Sequence, residues 1–310
     1  MHLPPYLHTG QQLTFDAQGS PLATPDPVQD GAHAPGRRQE ADRFRVSEDL
    51  VEDGLTGLTW PRCARPFGEP QHWEEARQAI AAWNARGHLG HRDWRLPTRR
   101  ELRTLVDHSR SLPAFPPGHP FTEVFPGWHW TATPWADDPR YAWRLQFEGG
   151  RLFFGLKEEY SLTLPVRGRC TCCLDACGDG GDGGEDGPRF MVEEDGLVRD
   201  RRTGLLWDRD AGGMRMTTWN MALSLAHARR QASGQPWRLP TINELETLVD
   251  PGHAYPALPA GHPFGRVADA CWSGTTSGVD PAWAFCLYTG KGAVGVGYKP
   301  HPEFCVWLVR

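Results

Sequence analysis

Apolar and polar residues alternate with a period of two at the start of each half of the chain. RFRVSEDLVED at 43–53 and RFMVEEDGLVRD at 189–200 both alternate around a polar turn. This pattern predicts a β-hairpin in each half, because successive side chains of a strand point to opposite faces. The segments TGLTW and TGLLW, which end at Trp60 and Trp207, add a short third strand.

Two helices are predicted in each half, where apolar residues recur every three or four positions. Thr218 is a suitable N-cap, and apolar residues follow at helical spacing over 219–226. The matching helix of the first half is predicted at about 73–85. A second helix follows the motif WRLPT, where Thr98 and Thr241 each precede a Glu by three residues and so predict a capping box.

Short strands are predicted after these helices. They lie around Trp130 and at 141–147, 151–156 and 162–166 in the first half, and around Trp272 and at 283–288, 293–298 and 304–309 in the second. Two helices and a curled antiparallel sheet in each half place the chain in the α+β class.

A duplication explains why the elements come in the same order twice. DWRLPTRRELRTLVD at 93–107 returns as PWRLPTINELETLVD at 236–250. Further along, the dipeptide Ala-Trp at 142–143 is matched with 282–283. Because a shared pattern at a nearly constant offset indicates a shared fold, a whole domain is predicted to occur twice.

Four segments follow from this repeat. Residues 1–42 are predicted to form an N-terminal hairpin, with Gly19 at its turn, and an extended lead-in. Residues 43–169 are the first copy of the domain (copy 1), and residues 188–310 are the second (copy 2). Residues 170–187 are rich in Cys, Gly and Asp and are predicted to be a linker.

Composition and charge narrow the function classes. The net charge is -5, from 33 basic and 38 acidic residues, so no nucleic-acid partner is expected. The sequence has no run of about 20 apolar residues, so no membrane span is predicted. Residues 1–20 lack the basic start and apolar core of a signal peptide, which predicts a cytoplasmic protein or one exported with a partner.

The order of these motifs resembles the Lcl C-terminal domain family, also known as DUF1566. The resemblance rests on TGLxW, TWxxA and above all WRLPTxxEL, and it covers about 250 of the 310 residues. HTGQQLTFDAQGS at 8–20 resembles the lead-in often found before that domain. The resemblance implies a C-type-lectin-like fold related to formylglycine-generating enzymes, which serves as a platform for loops that bind protein or carbohydrate. A shared fold of this kind does not identify the function, since one fold hosts many different sites.

The repeat separates framework residues from candidate site residues. Residues present in both copies are expected to serve the fold, and residues present in one copy are freer to serve a site. The pairs predicted to lie in the core are Trp60 and Trp207, Trp73 and Trp219, Trp94 and Trp237, Trp130 and Trp272, and Trp143 and Trp283. Arg95 with Arg238, and Asp107 with Asp250, are predicted to be structural charges.

Aromatic and basic residues near the late strands form the predicted binding surface. Those assigned to copy 1 alone are Trp128, His129, Trp135, Tyr141, Arg144 and Lys157, and copy 2 contributes Tyr288 and Lys291. Exposed aromatic and basic side chains of this kind dominate interface hot spots and sugar-stacking sites. The competing interpretation is that they pack against copy 2 or a partner domain. No catalytic residue is predicted.

A run of four cysteines lies in the linker. Cys170, Cys172, Cys173 and Cys177 could hold zinc or an iron–sulfur cluster, because these metals select soft sulfur ligands. Their spacing departs from the usual zinc knuckle. Disulfide bonds and an unstructured thiol-rich linker are the alternatives.

Three functions are compatible with this sequence. The first is a non-enzymatic recognition or scaffold protein that presents lectin-like loops to a partner, with a protein partner favoured over a glycan. The alternative is an accessory subunit of a redox complex with a metal on the cysteine run. The third, an oxidase related to formylglycine-generating enzymes, would require copper on cysteines of copy 2 such as Cys271 and Cys305.

Overall fold

The chain folds into two compact units. The computed structural model describes residues 5–33, 35–38, 42–171, 187–210 and 216–310. One unit comprises residues 38–178 and holds copy 1, and the other comprises residues 1–37 and 179–310 and holds the lead-in with copy 2. The predicted α+β class with antiparallel sheets is confirmed. The lead-in therefore packs with copy 2, although it precedes copy 1 in the chain.

Copy 1 begins with three antiparallel strands and continues with two helices. The strands are β1 (Phe44–Ser47), β2 (Leu50–Asp53) and β3 (Leu58–Pro61). Helix α1 (Asp30–His33) belongs to the lead-in. The two helices of copy 1 are α2 (Trp73–Arg86) and α3 (Arg99–Arg103).

The ends of the two helices of copy 1 are fixed by local chemistry. Gly87 ends α2 in the left-handed conformation, at φ 66°, and a 3-10 turn at His88–Gly90 follows. Helix α3 begins with the predicted capping box, in which Thr98 accepts from the amide of Glu101 and Glu101 accepts from that of Thr98. A glycine therefore ends α2, and two side chains close in sequence fix the start of α3.

Three longer antiparallel strands complete copy 1. They are β4 (Trp128–Pro134), β5 (Tyr141–Gln146) and β6 (Arg151–Leu156), with β5 in the middle. Trp130 and Ala142 are fully buried against Ile80 and Trp83 of α2. This packing of one sheet face on the long helix forms the core of copy 1.

Copy 2 repeats this order. Its elements are β7 (Phe190–Val192), β8 (Val198–Asp200), β9 (Leu206–Trp207), α4 (Trp219–Ser233), α5 (Ile242–Thr247), β10 (Cys271–Thr276), β11 (Trp283–Tyr288) and β12 (Ala293–Tyr298). Thr218 caps α4, and Thr241 with Glu244 forms the capping box of α5. Val28 of the lead-in joins the core of copy 2. No helix in the described ranges is both long and apolar enough to cross a membrane.

The lead-in is a compact segment held on copy 2. Residues Phe15 and Pro21 form an antiparallel bridge around Gly19, which has φ 86°. Helix α1 (Asp30–His33) follows, and a Cβ on Gly31 would lie 2.0 Å from the main-chain oxygen of Leu13. The close approach of these two segments therefore requires glycine at position 31.

The predicted last strands, 162–166 and 304–309, do not form as ladders. Leu162 bridges His129, whereas Val166, four residues later, bridges Arg95. Pro165 between them has no N–H to donate. The segment 304–309 contains no proline, but it too makes isolated bridges, from Cys305 to Cys271 and from Val309 to Arg238.

The strand registers correct one match between the copies. Tyr141 corresponds to Trp283, because each opens its strand opposite the last residue of the next strand. The sequence match of 142–143 with 282–283 is therefore wrong by two residues. Trp143 is buried as predicted, whereas Trp283 is only half-buried and is not its core counterpart.

Candidate functional site

A groove with a volume of about 540 Å³ opens on copy 1. Prolines and other apolar residues form part of its wall, and charged residues surround them. We call it the copy 1 groove, and its lining residues are Asp49, Pro61, Arg62, Cys63, Pro66, Trp83, Arg86, His88, Leu89 and Thr122.

Two segments that are distant in sequence form one wall of the groove. The amide of Thr122 donates to the Arg62 carbonyl at 2.9 Å, and the amide of Ala64 donates to the Thr122 carbonyl at 2.8 Å. Cys63 and Thr122 therefore lie side by side in a parallel bridge. The main-chain hydrogen bonds make this wall rigid.

Aromatic stacking forms the other wall. The Trp83 ring lies 3.9 Å from the His88 ring and 4.7 Å from the Phe67 ring, centroid to centroid. Trp83 is 4% exposed, so both faces of its indole are covered by protein. Trp83 therefore supports the groove by positioning His88 and does not offer a free stacking face.

Unusual backbone conformations are concentrated around the groove. Among the described residues, five other than glycine have positive φ, and two of them, Leu112 and Tyr255, do not line the groove. The other three are Leu89, which lines the groove, Glu48, which precedes Asp49, and Glu123, which follows Thr122. Such conformations cost about 1–3 kcal/mol each and cluster at ligand sites. Glu48 lies in the two-residue turn between β1 and β2, where positive φ is common, so among the described residues Leu89 alone both lines the groove and has this conformation.

The groove carries unpaired positive charge and one carboxylate. Arg62 and Arg86 are exposed, and neither forms an ion pair with another residue that the structure describes. Partial burial and then the nearby Arg86 guanidinium lower the pKa of His88, while the Asp49 carboxylate opposes this shift. The groove can therefore offer guanidinium donors, a neutral imidazole and an acceptor to a ligand.

In copy 2 an ion pair takes the place of the wall tryptophan. Arg229 stands where copy 1 has Trp83, and it pairs with Asp208, the counterpart of Pro61. The Arg229 guanidinium also lies 3.8 Å from the centre of the Trp237 ring. The apolar groove wall is therefore specific to copy 1.

The chemistry of the groove comes from single polar side chains. Across the described ranges no three His, Cys, Asp or Glu side chains come together in a way that could hold a metal ion. Cys63 is a free, half-buried thiol. The arrangement is suited to holding a ligand through charge and shape.

The predicted copy 1 residues separate into several groups. Arg144 lies 5.1 Å from the Trp128 ring centre and forms a 2.6 Å ion pair with Glu159. A Cβ on Gly155 would lie 2.4 Å from Cζ of Arg144, so glycine is required to admit the guanidinium. Trp128 and Arg144 are thus partners in one packed cluster.

His129 lies in the core and not on a surface. It is fully buried, Nδ1 lies 3.0 Å from the Gly127 carbonyl, and its ring packs 4.8 Å from that of Phe147. Burial lowers its pKa to about 4 from an ordinary value of 6.5. The imidazole is therefore neutral at physiological pH, and the prediction that it belongs to a binding surface is wrong.

Trp135 and Tyr141 form a second group, on the opposite face of the sheet. Trp135 stacks on Phe154 with ring centroids 3.9 Å apart, and Tyr141 packs edge-on to Phe154 at 5.6 Å. Both predicted residues are half-buried. They present a rigid aromatic ridge.

Lys157 belongs to a framework interaction that copy 2 repeats. Its ammonium lies 4.3 Å from the centre of the Trp73 ring, and that of Lys299 lies 4.1 Å from the Trp219 ring. In both copies the lysine carbonyl accepts from the tryptophan amide at 3.0 Å. The assignment of Lys157 to copy 1 alone is therefore wrong.

The two predicted residues of copy 2, Tyr288 and Lys291, lie in different surroundings. Tyr288 is half-buried and packs edge-on to Phe304 at 5.6 Å. Lys291 is exposed on the turn between β11 and β12. Burial raises the pKa of Tyr288 above its ordinary range, and its hydroxyl forms a hydrogen bond with Cys286.

The cysteine run is only partly described. Cys170 is buried and disulfide-bonded, so in this state its sulfur is not a thiolate ligand. Cys172, Cys173 and Cys177 lie outside the described residues. At Cys170 the structure corresponds to the disulfide alternative.

Cys271 and Cys305 of copy 2 are neighbours in a parallel bridge, and neither forms a disulfide bond. Burial raises the pKa of Cys271 far above its ordinary range, and it also raises that of Cys305. Both sulfurs are therefore protonated at neutral pH and are poor ligands in that form.

The fold and this groove define the chain as a tandem α+β repeat in which one copy carries an open, positively charged cleft. The model of the Lcl C-terminal domain matches residues 49–167 and 196–310. The chain therefore belongs to the Lcl C-terminal domain family, with two tandem members. No curated protein matches it.

Proposed function

We propose that the chain is a non-enzymatic recognition protein that binds a partner through copy 1, with a protein partner favoured over a glycan. A C-type-lectin-like relationship, in which loops on a stable platform carry the binding residues, is part of this proposal. Copy 2 serves as the second structural half of the platform. The observation that carries the proposal is the copy 1 groove, whose lining residues Trp83 and Pro61 are replaced in copy 2 by the ion pair of Arg229 with Asp208.

Three features of the groove support binding. It combines unpaired guanidiniums with an apolar wall, as ligand sites commonly do. Its shape is held by main-chain hydrogen bonds and ring stacking, which limits the entropy lost on binding. One strained residue, Leu89, lines it, and such strain persists at ligand sites.

A photo-crosslinker on Cys63 tests this function directly. With a benzophenone maleimide at Cys63, we expect a specific adduct in extracts of the source cells, because this half-buried thiol lines the groove. The matched control, Cys63→Ser with Asp210→Cys, carries the probe at the equivalent exposed position of copy 2 and is expected to yield no such adduct. Gel shift and mass spectrometry measure the yields.

Reversing the charge of Arg86 tests whether the guanidiniums of the groove bind the partner. Arg86→Glu is expected to reduce the Cys63 adduct at least tenfold, since it removes one of the two unpaired guanidiniums, a loss of about 1.4 kcal/mol or more. Adducts of equal yield from both probe positions, or a yield that Arg86→Glu leaves unchanged, would contradict binding in the groove.

The alternative of a metal-carrying redox subunit makes a separate prediction. Because Cys170 is disulfide-bonded, we expect protein purified without reductant to contain no stoichiometric zinc or iron. Peptide mapping before and after reduction should show Cys170 in a disulfide. One equivalent of metal per chain, together with a reactive Cys170 thiol, would instead support the redox subunit.

A further inference from the structure

Several hydrogen-bond donors of copy 2 hold the lead-in, and three of them have counterparts of the same residue type in copy 1. The amide of Leu239 donates to the Val28 carbonyl at 3.2 Å, and the Thr275 hydroxyl donates to the Asp30 carboxylate at 2.6 Å. The Lys299 ammonium donates to a main-chain carbonyl of the lead-in at 3.2 Å. We call Leu239, Thr275 and Lys299 the copy 2 socket.

The lysine of this socket also holds an aromatic ring. Lys299 Nζ lies 4.1 Å from the Trp219 ring centre and 5.5 Å from that of Phe15, and its acceptor is the Asp16 carbonyl. The lead-in thus supplies an aromatic ring, two carbonyls and a carboxylate. These groups meet three fixed donors.

Copy 1 contains the same three donors, Leu96, Thr133 and Lys157, which we call the copy 1 socket. The hydroxyl oxygen of Thr133 accepts from the amide that opens α3, and Thr275 accepts from the amide that opens α5. The carbonyls of Lys157 and Lys299 accept from the first amides of α2 and α4. These matching bonds establish the correspondence.

Leucines 96 and 239 correspond for a similar reason. Each follows an arginine, Arg95 or Arg238, that pairs with the closing segment of its own copy in an isolated bridge. Each also precedes the Pro-Thr that caps the following helix. The main-chain N–H groups of the two leucines therefore occupy equivalent places.

The donors of the copy 1 socket have no acceptor among the residues that the structure describes. The Leu96 amide, the Thr133 hydroxyl proton and the Lys157 ammonium make no hydrogen bond or ion pair there. In copy 2 all three equivalents are satisfied by the lead-in. Copy 1 thus presents the donors of a socket without its peptide.

Exposure leads to the same conclusion. Residues 274–276 of β10 are buried, whereas their counterparts in β4 include the exposed Ala132 and Pro134 and the half-buried Thr133. Lys299 is fully buried, but Lys157 is half-buried. The surface that the lead-in covers in copy 2 is open in copy 1.

We propose that the copy 1 socket docks an extended segment of a partner polypeptide with the chemistry of the lead-in. The segment supplies a carboxylate to Thr133, a carbonyl to the amide of Leu96, and a carbonyl with an adjacent aromatic ring to Lys157. None of these residues lines the copy 1 groove. The socket therefore stands independently of that groove.

The lead-in of this chain is a poor match for the copy 1 socket. The side-chain amide of Gln11 bonds both the N–H and the carbonyl of Thr276, and the counterpart of Thr276 is Pro134, which has no N–H. A Cβ on Gly274 would lie 3.1 Å from the Asp30 amide, and copy 1 has Ala132 there. The first difference removes the main-chain donor that Gln11 uses, and the second requires any bound backbone to lie a few tenths of an ångström further from position 132. The Gln11 contact therefore disfavours a second copy of this chain and leaves a segment from another protein as the occupant.

A labelled peptide of residues 5–33 tests the geometry of the socket on the full chain. Fluorescence anisotropy should show that Ala132→Gly with Pro134→Thr binds this peptide at least tenfold more tightly than the wild-type chain, because the double substitution restores the glycine and the N–H of copy 2. Adding Thr133→Val and Lys157→Met should abolish the gain. Peptide that exchanged into copy 2 would not respond to substitutions in copy 1.

A peptide-display selection on the wild-type chain tests the occupant. Selected peptides should carry an aromatic residue and an Asp or Glu, and Thr133→Val with Lys157→Met should weaken them at least tenfold. Thr133→Ser, which keeps the hydroxyl, should retain binding, and circular dichroism checks that each variant is folded.

Two results would overturn the proposal. One is an Ala132→Gly/Pro134→Thr chain that binds the lead-in peptide no better than wild type. The other is a set of selected peptides that do not respond to Thr133→Val with Lys157→Met. Tight binding of the lead-in peptide to the wild-type chain would show that the copy 1 socket binds a second copy of this chain and not another protein.

Discussion

Replacing Glu244 by Gln is expected to destabilise copy 2 by about 3–5 kcal/mol, because it leaves the Arg238 guanidinium buried without its counter-charge. The two side chains form a bidentate pair with both N–O distances at 2.6 Å, and Glu244 is fully buried. Burial alone would raise the pKa of Glu244, but the Arg238 charge overrides it and the net pKa is lowered. The carboxylate is therefore ionised, and the loss of its charge is not compensated.

Copy 1 provides the matched control for this substitution. Arg95 and Glu101 form the same bidentate pair, at 2.6 and 2.7 Å, but the Arg95 side chain is 39% exposed. Water can solvate that guanidinium when the carboxylate is lost, so Glu101→Gln is expected to cost about 1 kcal/mol. Both glutamates also close a capping box, so that contribution is common to the two variants.

Hydrogen exchange measured by mass spectrometry separates the two copies. Amides of α5 should exchange much faster in the Glu244→Gln variant, and amides of α3 should change little in the Glu101→Gln variant. Equal effects in the two copies would show that the exposure of the arginine does not control the cost.

Features of the fold that depend on neighbouring residues were predictable from the sequence. The capping boxes at Thr98 and Thr241 form as predicted, since each is closed by a Glu three residues away. The closing segments were not predictable, because their bridges are to residues far along the chain. Position in the sequence carries no signal for which strand such a segment will meet.

The copy 1 groove was missed for the same reason. Its lining residues extend from Asp49 to Thr122 and meet only through tertiary packing. A signal was nevertheless present, since Trp83 occurs in copy 1 and its counterpart in copy 2 is Arg229. Trp83 is thus specific to copy 1 in the same way as Trp128 and Arg144, although it lies in a helix.

The docking of the lead-in on copy 2 also lay beyond local patterns. The hydroxyl of Tyr6 donates to Glu244 across a separation of 238 residues. No periodicity or motif relates two such positions. The register error at Trp283 has a different origin, since the dipeptide Ala-Trp at 282–283 repeats 142–143 in sequence, whereas strand pairing aligns Trp283 with Tyr141.

Replacing Asp30 by Asn is expected to stabilise the lead-in on copy 2 at pH 8 but not at pH 4. Asp30 is 1% exposed, and one carboxylate oxygen accepts hydrogen bonds from Thr9 and Thr275. Burial raises its pKa from 3.8 to about 7, and these hydrogen bonds offset only part of the shift. Ionising Asp30 therefore costs the folded state free energy.

The sign of the pH dependence follows from this raised pKa. The folded state binds the proton of Asp30 more tightly than the unfolded state, so its contribution to stability is fully present below about pH 4 and is lost as the pH rises through about 7. Asn does not titrate, so the difference in unfolding free energy between the variant and the wild type isolates this group. It should be near zero at pH 4 and on the order of 4 kcal/mol in favour of Asn at pH 8. Urea unfolding at several pH values, with hydrogen exchange of residues 5–33, measures this difference in unfolding free energy. A difference that stays constant between pH 4 and pH 8 would mean that Asp30 is not buried as a carboxylic acid against Thr275.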